Sequence, residues 1–245
     1  MNEVASISRT SHVNVVTLLG FCLQGLEQAL IYGYMTNVSL ERYTFANNSA
    51  QDPNTLSWEI LFNIVLGIDR CLEYLHRGYN SRIVHFNIKP QNFLLDRDFC
   101  PKMSDFGLAK LCQQKDSKIS IGGARGTVGY IAPEVFSRQY GVVSSKSDVC
   151  RCGMVVFEMV GARKQISVST ESSAMYFPQW VYDNLDEFCG TIDEITSNDV
   201  TELVRKMTLV GLWSIQLTPT NRPSMSEVLD MLESNSKDLH LPAKA

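Results

Sequence analysis

An α+β fold is predicted for this chain of 245 residues, with one helix and about two strands first and a larger, mainly helical part after them. Three patterns carry the prediction. Val13 to Cys22 and Gln28 to Met35 are β-branched, aromatic and apolar runs separated by Gln24-Gly25-Leu26-Glu27, the pattern of an antiparallel hairpin. Between Ser57 and Arg77, Trp58, Leu61, Ile64, Val65, Ile68, Leu72 and Leu75 recur at three and four, which puts a wide apolar stripe on one long helix. Ser147 to Val160, Val200 to Trp213 and Ser224 to Glu233 read as further helices.

The remaining elements follow in order. Glu3 to about Ser11 is compatible with a short helix whose Val4 and Ile7 share a face. Thr36-Asn37-Val38 is a linker, and Ser39 is placed to cap a short helix beginning near Leu40. Asn47 to Asn54 is a polar turn cluster. Ile83 to Met103 alternates short apolar strands with polar loops, and residues 112–130 have no periodicity, forming a long surface loop of the kind that is usually functional. Pro178 and the acidic stretch 183–197 punctuate the region between the later helices, and Asn235 to Ala245 is expected to fray.

Apolar residues at 44% and charged residues at 20% are a globular mix with enough apolar mass for a substantial core. A net charge of −4 with scattered Lys and Arg gives no basis for nucleic-acid binding. Seven cysteines at irregular spacings are read as reduced thiols; Cys150 and Cys152 form a C-x-C without the second pair a zinc site needs. No apolar run reaches the ~18 residues that span a bilayer, and Met-Asn-Glu-Val-Ala-Ser lacks the basic and apolar regions of a signal peptide. The expectation is a cytoplasmic chain without direct membrane insertion.

Four short motifs occur in one order: His85-Phe86-Asn87-Ile88-Lys89-Pro90-Gln91-Asn92, Asp105-Phe106-Gly107, Ala132-Pro133-Glu134 and Asn221-Arg222-Pro223. Any one of them is commonplace, since a lone Asp-Phe-Gly is usually a turn and a lone Ala-Pro-Glu a helix start. The ordered set resembles the protein kinase family, matching its catalytic loop, metal-binding turn, activation-segment end and distal arginine. Leu18-Leu19-Gly20-Phe21-Cys22, Gly126-Thr127-Val128-Gly129-Tyr130 and Ser145-Lys146-Ser147-Asp148-Val149 extend the resemblance to plant receptor-like Ser/Thr kinases, and Phe86, before the position of the family's catalytic Asp, makes it most similar to the thaumatin-like and leaf-rust types. The resemblance implies a kinase-like fold with a complete helical large lobe and a small lobe reduced to one helix and about two strands. Residues 1–35 would be the small-lobe remnant, 36–39 the hinge, 40–235 the large lobe and 236–245 a tail.

The resemblance also implies roles. Asp105 and Asn92 would hold Mg²⁺, Lys89 would stand beside the transferring phosphoryl group, and Tyr32, Tyr34 and Met35 would line the nucleotide site. Thr127 would brace the catalytic loop, Glu134 and Arg222 would pair, and Asp148 would hold the loop from below. His85 would be structural, while His12, His76 and His240 show no partner pattern. Glu3 resembles the helix glutamate that pairs with a strand lysine. That lysine and the Gly-rich loop are not in this sequence, which reads as N-terminally truncated, so Glu3 is expected to lack its partner.

Asn87 stands where the family carries its catalytic aspartate, and a neutral carboxamide cannot act as a base near pH 7. Phe86 replaces an arginine that would read activation-loop phosphate, leaving Ser117 and Ser120 as phosphosites without a docking partner. Gly33 stands where a hinge glutamate is usual. Arg151 falls inside a helix expected to be buried, so it must reach solvent or a carboxylate. The expected function is therefore that of a catalytically impaired, pseudokinase-like domain that binds a receptor kinase or other protein, with ATP and Mg²⁺ only if nucleotide binding survives. The rival expectation is an active ATP-dependent Ser/Thr kinase whose N-terminal part is missing and whose full-length form is anchored at the plasma membrane.

Overall fold

The computed structural model describes residues 2–24, 27–44, 55–77, 81–113, 119, 126–127, 129–161, 182–185, 197–235 and 238–243. A helix α1 (Asn2–Ile7) precedes the hairpin of β1 (Leu18–Gln24) and β2 (Glu27–Tyr32). These strands pair antiparallel with Leu18 opposite Tyr32 and Phe21 opposite Leu30. The hairpin is shorter than its apolar runs. Asn14, Val15 and Val16 leave the strand and are buried, and the Val16 amide donates to the Met103 carbonyl at 3.0 Å. Those residues tie the first part of the chain to the second instead of lengthening β1.

The larger part is built on α3 (Trp58–Arg77), after a single helical turn α2 (Glu41–Thr44). Leu61, Ile64, Val65, Ile68, Leu72 and Leu75 are buried as their spacing requires, and Trp58 packs half-buried at the edge. Against α3 lie α5 (Lys146–Met159), α6 (Asn198–Ser214) and α7 (Met225–Glu233), each close to its predicted span. A capping box opens α7, where Ser224 and Glu227 satisfy each other's backbone amides. A single turn α4 (Pro133–Phe136) carries Glu134.

Two small ladders position the loops. The strand β3 (Ser81–Val84) pairs antiparallel with β6 (Lys110–Gln113), and β4 (Phe93–Leu95) pairs with β5 (Pro101–Met103). The second hairpin is tight, with Phe93 opposite Met103, so Asn92 and Ser104 meet at its open end.

The expected frayed end is corrected in part. The Trp213 indole donates to the His240 carbonyl at 2.8 Å, Leu239 packs on the core and Pro242 is buried. An indole N–H seldom goes without an acceptor, and here the acceptor is the chain's own end.

Candidate active site

The loop between β3 and β4 is held from below by a buried carboxylate. Asp148, in the first turn of α5, accepts the His85 amide at 2.7 Å on Oδ2 and the Phe86 amide at 2.9 Å on Oδ1. His76 of α3 reaches Oδ2 at 3.1 Å, a partner its sequence context did not disclose. Burial opposes the charge on Asp148. The hydrogen bond and field of His76, with those of His85, outweigh it and hold the carboxyl below the usual range.

His85 is fully buried, and burial lowers its pKa despite the fields of Asp148 and Asp105. Its Nδ1 accepts the Asn87 amide at 3.3 Å, so Nε2 carries the hydrogen directed at the Ser104 carbonyl 3.1 Å away. Both nitrogens are occupied by backbone, and the ring stands edge-on to Phe106 at 4.8 Å. The arrangement shapes the loop.

Three predicted site residues converge. Asn87 and Asn92 are buried at the ends of the loop, and Asp105 opens the turn Phe106–Leu108 with φ 58°. The Asn87 Nδ2 donates to Asp105 Oδ2 at 2.7 Å. The Asn92 Nδ2 donates to the Asn87 carbonyl at 2.7 Å and lies 3.5 Å from the same Oδ2. Asp105 Oδ1 accepts the Gly107 amide at 3.3 Å. Lys89, partly exposed and extended (φ −167°), precedes the turn Pro90–Asn92.

Glu3 has a partner after all, which corrects the expectation. The Tyr32 hydroxyl donates to Glu3 Oε1 at 2.8 Å, and the other oxygen lies 3.9 Å from where a Cβ on Gly107 would stand. Burial first, then the Glu3 carboxylate, pushes the Tyr32 pKa up. The phenol thus joins α1, β2 and the Asp105 turn. Tyr34, by contrast, is 87% exposed, and Met35 packs half-buried on the core. No sequence pattern marks the Tyr32–Glu3 contact, because the residues lie far apart in the chain.

Phe86 adopts φ 59° and is fully buried in an apolar cluster with Val84, Cys112, Ile119, Ala132, Val135, Val143 and Cys150. Arg151 is likewise fully buried, correcting the alternative of solvent. Its Nη1 donates to the Phe86 carbonyl at 2.6 Å, the group that the left-handed turn exposes. Burial lowers the pKa of Arg151 and the field of Asp148 opposes that. The guanidinium lies against Gly126 (φ 120°), where an added Cβ would stand 2.1 Å from Nη1. The Thr127 carbonyl accepts the Tyr130 amide at 3.1 Å. Ser117 and Ser120 lie outside the described residues.

Glu134 and Arg222 form a buried bidentate pair, with both N–O distances 2.8 Å. Ser147 Oγ donates to Glu134 Oε1 at 2.6 Å, and Arg222 Nε donates to the Gln216 carbonyl at 2.6 Å. Further donors and acceptors therefore complete a desolvated pair.

A divalent cation would need oxygen ligands here. Asp105 is the one carboxylate of the Asn87–Asn92–Asp105 cluster, and each of its oxygens already accepts an N–H. Among the described residues no group of three or more His, Cys, Asp or Glu side chains could hold a metal. In this arrangement the cluster offers a cation a single carboxylate, and the Asn87 N–H is already directed at its Oδ2 at 2.7 Å.

Comparison with known proteins places this geometry in context. The protein kinase domain family model matches residues 1–232. An Arabidopsis thaliana leaf rust 10 disease-resistance locus receptor-like protein kinase-like 2.5 is 51% identical over 100% of this chain and 37% of its own length. The PR5-like receptor kinase of the same plant is 50% identical over 99% of this chain and 36% of its own. Protein SUPPRESSOR OF NPR1-1 CONSTITUTIVE 4, also from Arabidopsis, is 49% identical over 100% of this chain and 22% of its own. The chain thus spans well under half the length of these curated relatives. Among the described residues no helix is long and apolar enough to cross a membrane.

Proposed function

Because this chain belongs to the protein kinase family, in its plant receptor-like branch, we propose that it is a Ser/Thr-type kinase domain with impaired phosphoryl transfer that acts by binding a protein partner. Family membership implies ATP and Mg²⁺ in general. The residue at the position of the family's base carries the reading: Asn87 presents a carboxamide whose Nδ2 donates to Asp105 Oδ2 at 2.7 Å. The attacking hydroxyl of a protein substrate must be oriented and relieved of its proton. A neutral amide can accept a hydrogen bond through its oxygen, but it cannot take that proton near pH 7. Losing a general base costs ~10²–10⁴ in rate.

The surroundings support a binding role. Phe86 is buried among apolar side chains, so this position offers no guanidinium to a phosphorylated Ser117 or Ser120. The loop is instead held by Asp148 and Arg151, whose contacts do not depend on phosphorylation. In this reading residues 1–35 are the smaller lobe, 36–39 the hinge, 40–235 the larger lobe and 236–245 a tail. A receptor kinase fits as partner, because the curated relatives are themselves named receptor-like kinases.

Transfer of labelled γ-phosphate from ATP to a Ser/Thr peptide tests the proposal. Little or no transfer is expected, and Asn87→Asp should raise it by about 10²-fold or more. Ordinary turnover that Asp105→Ala abolishes would defeat the reading, and no rise on Asn87→Asp would count against the role given to position 87.

A further inference from the structure

We infer that Asn87 is a cation-excluding residue, so that any nucleotide this cleft takes is bound without a divalent cation at Asp105. The inference rests on the reading of the cleft as the kinase nucleotide site, but it concerns a different property from the missing base.

The orientation of both amides is dictated by their neighbours. Asn87 faces Asp105 Oδ2 at 2.7 Å, and turning its amide over would set one oxygen against another at that distance. Asn92 has the Asn87 carbonyl at 2.7 Å and Asp105 Oδ2 at 3.5 Å, both acceptors, so its hydrogens must also point inward. The Asn87 amide is thereby fixed as a donor toward the carboxylate, and the Asn92 amide as a donor chiefly toward the Asn87 carbonyl. One lone-pair direction of Oδ2 is taken by the Asn87 N–H, whose positive hydrogen cannot coordinate a cation and repels one placed beside it.

Charge and space act in the same sense. The cluster carries a single formal negative charge, and the Asn87 N–H on Oδ2 with the Gly107 amide on Oδ1 already solvates it in part. An aspartate at position 87 would set two carboxylates side by side, an arrangement that draws in either a proton or a cation. Both asparagines are 6% exposed, so water does not readily turn the Asn87 amide away from the carboxylate.

The experiment uses the whole chain, its Asn87→Asp and Asn87→Ala variants, and two probes. Free Mn²⁺ is counted by its electron paramagnetic resonance signal during titration, and a fluorescent ATP analogue is titrated in EDTA and in Mg²⁺. The wild type is expected to show no saturable Mn²⁺ site up to a millimolar. Both variants should bind Mn²⁺ about tenfold or more tightly than wild type, Asp the tighter, because each removes the donor. The analogue should bind wild type equally with and without Mg²⁺. Wild type binding Mn²⁺ as tightly as Asn87→Asp, or Asn87→Ala behaving as wild type, would overturn the inference, as would analogue binding that Mg²⁺ strengthens tenfold. Should wild type take no analogue in either buffer, the Mn²⁺ titration alone decides. Phosphoryl turnover is scored separately, so the loss of the base can stand while cation exclusion falls, or the reverse.

Discussion

Replacing Asp69 by Asn should flatten the dependence of stability on pH. Asp69 lies on α3 inside the core, where its Oδ1 accepts the Cys152 thiol at 3.0 Å and its Oδ2 has no hydrogen-bond partner among the described residues. Burial raises its pKa from 3.8 to about 7, and the thiol contact only partly offsets this. Below about pH 3 the residue is protonated in both the folded and unfolded chain and contributes no penalty. As the pH rises, the unfolded chain loses its proton first, so folding binds a proton and stability falls until the folded carboxyl ionises near pH 7. Three units at about 1.4 kcal/mol each make a full penalty of about 4 kcal/mol. From about pH 5 to about pH 8 the share still to be lost is about 3 kcal/mol, a large part of the ~5–15 kcal/mol that holds a domain together. Urea denaturation of wild type and Asp69→Asn across that window, at one ionic strength, measures the difference directly. Asparagine keeps the acceptor for Cys152 and removes the titration, and the thiol, whose pKa burial and Asp69 raise, stays protonated across that window. The offset between the two curves carries no weight; the slope does. Parallel curves would refute the argument.

Arg222→Met should cost about 3–5 kcal/mol in the same denaturation assay, because it strands the Glu134 carboxylate in the core; a cost below about 1 kcal/mol would mean water reaches the site. Gly126→Ala should destabilise by about 2 kcal/mol or more, since its φ of 120° disfavours a side chain and a Cβ would lie 2.1 Å from the Arg151 guanidinium. Arg151→Ala added to Gly126→Ala should recover part of that loss, and strict additivity would deny the contact. Tyr32→Phe should cost about 1 kcal/mol and speed proteolysis near α1 by freeing Glu3 from its 2.8 Å hydrogen bond; unchanged stability and cleavage would show that the phenol does not hold the helix.

Local rules were enough to identify most of the fold. The α3 stripe, the α7 helix and the hairpin are patterns that propensity and burial translate directly into structure, and they appear where their residues predict. Strand length was less legible. Val15 and Val16 are as β-branched as their neighbours, yet contact with Met103 draws them off β1. The site motifs named Asn87, Asn92 and Asp105, while the sequence was silent on which way their amides face. That direction follows from the acceptors around them, brought together by the β4–β5 hairpin and the Asp105 turn.

By itself the sequence determined the family-level fold and the chemical identity of the groups at the site, above all that a carboxamide stands where a carboxylate would take a proton. Only the tertiary structure decided the partners: Tyr32 on Glu3, His76 on Asp148, Arg151 on the Phe86 carbonyl, and Asn87 on Asp105. The physical reason is range. Periodicity and capping act over a few residues and leave a local trace, whereas a buried polar group takes whichever donor or acceptor the packed chain brings within about 3 Å, from any distance along the sequence.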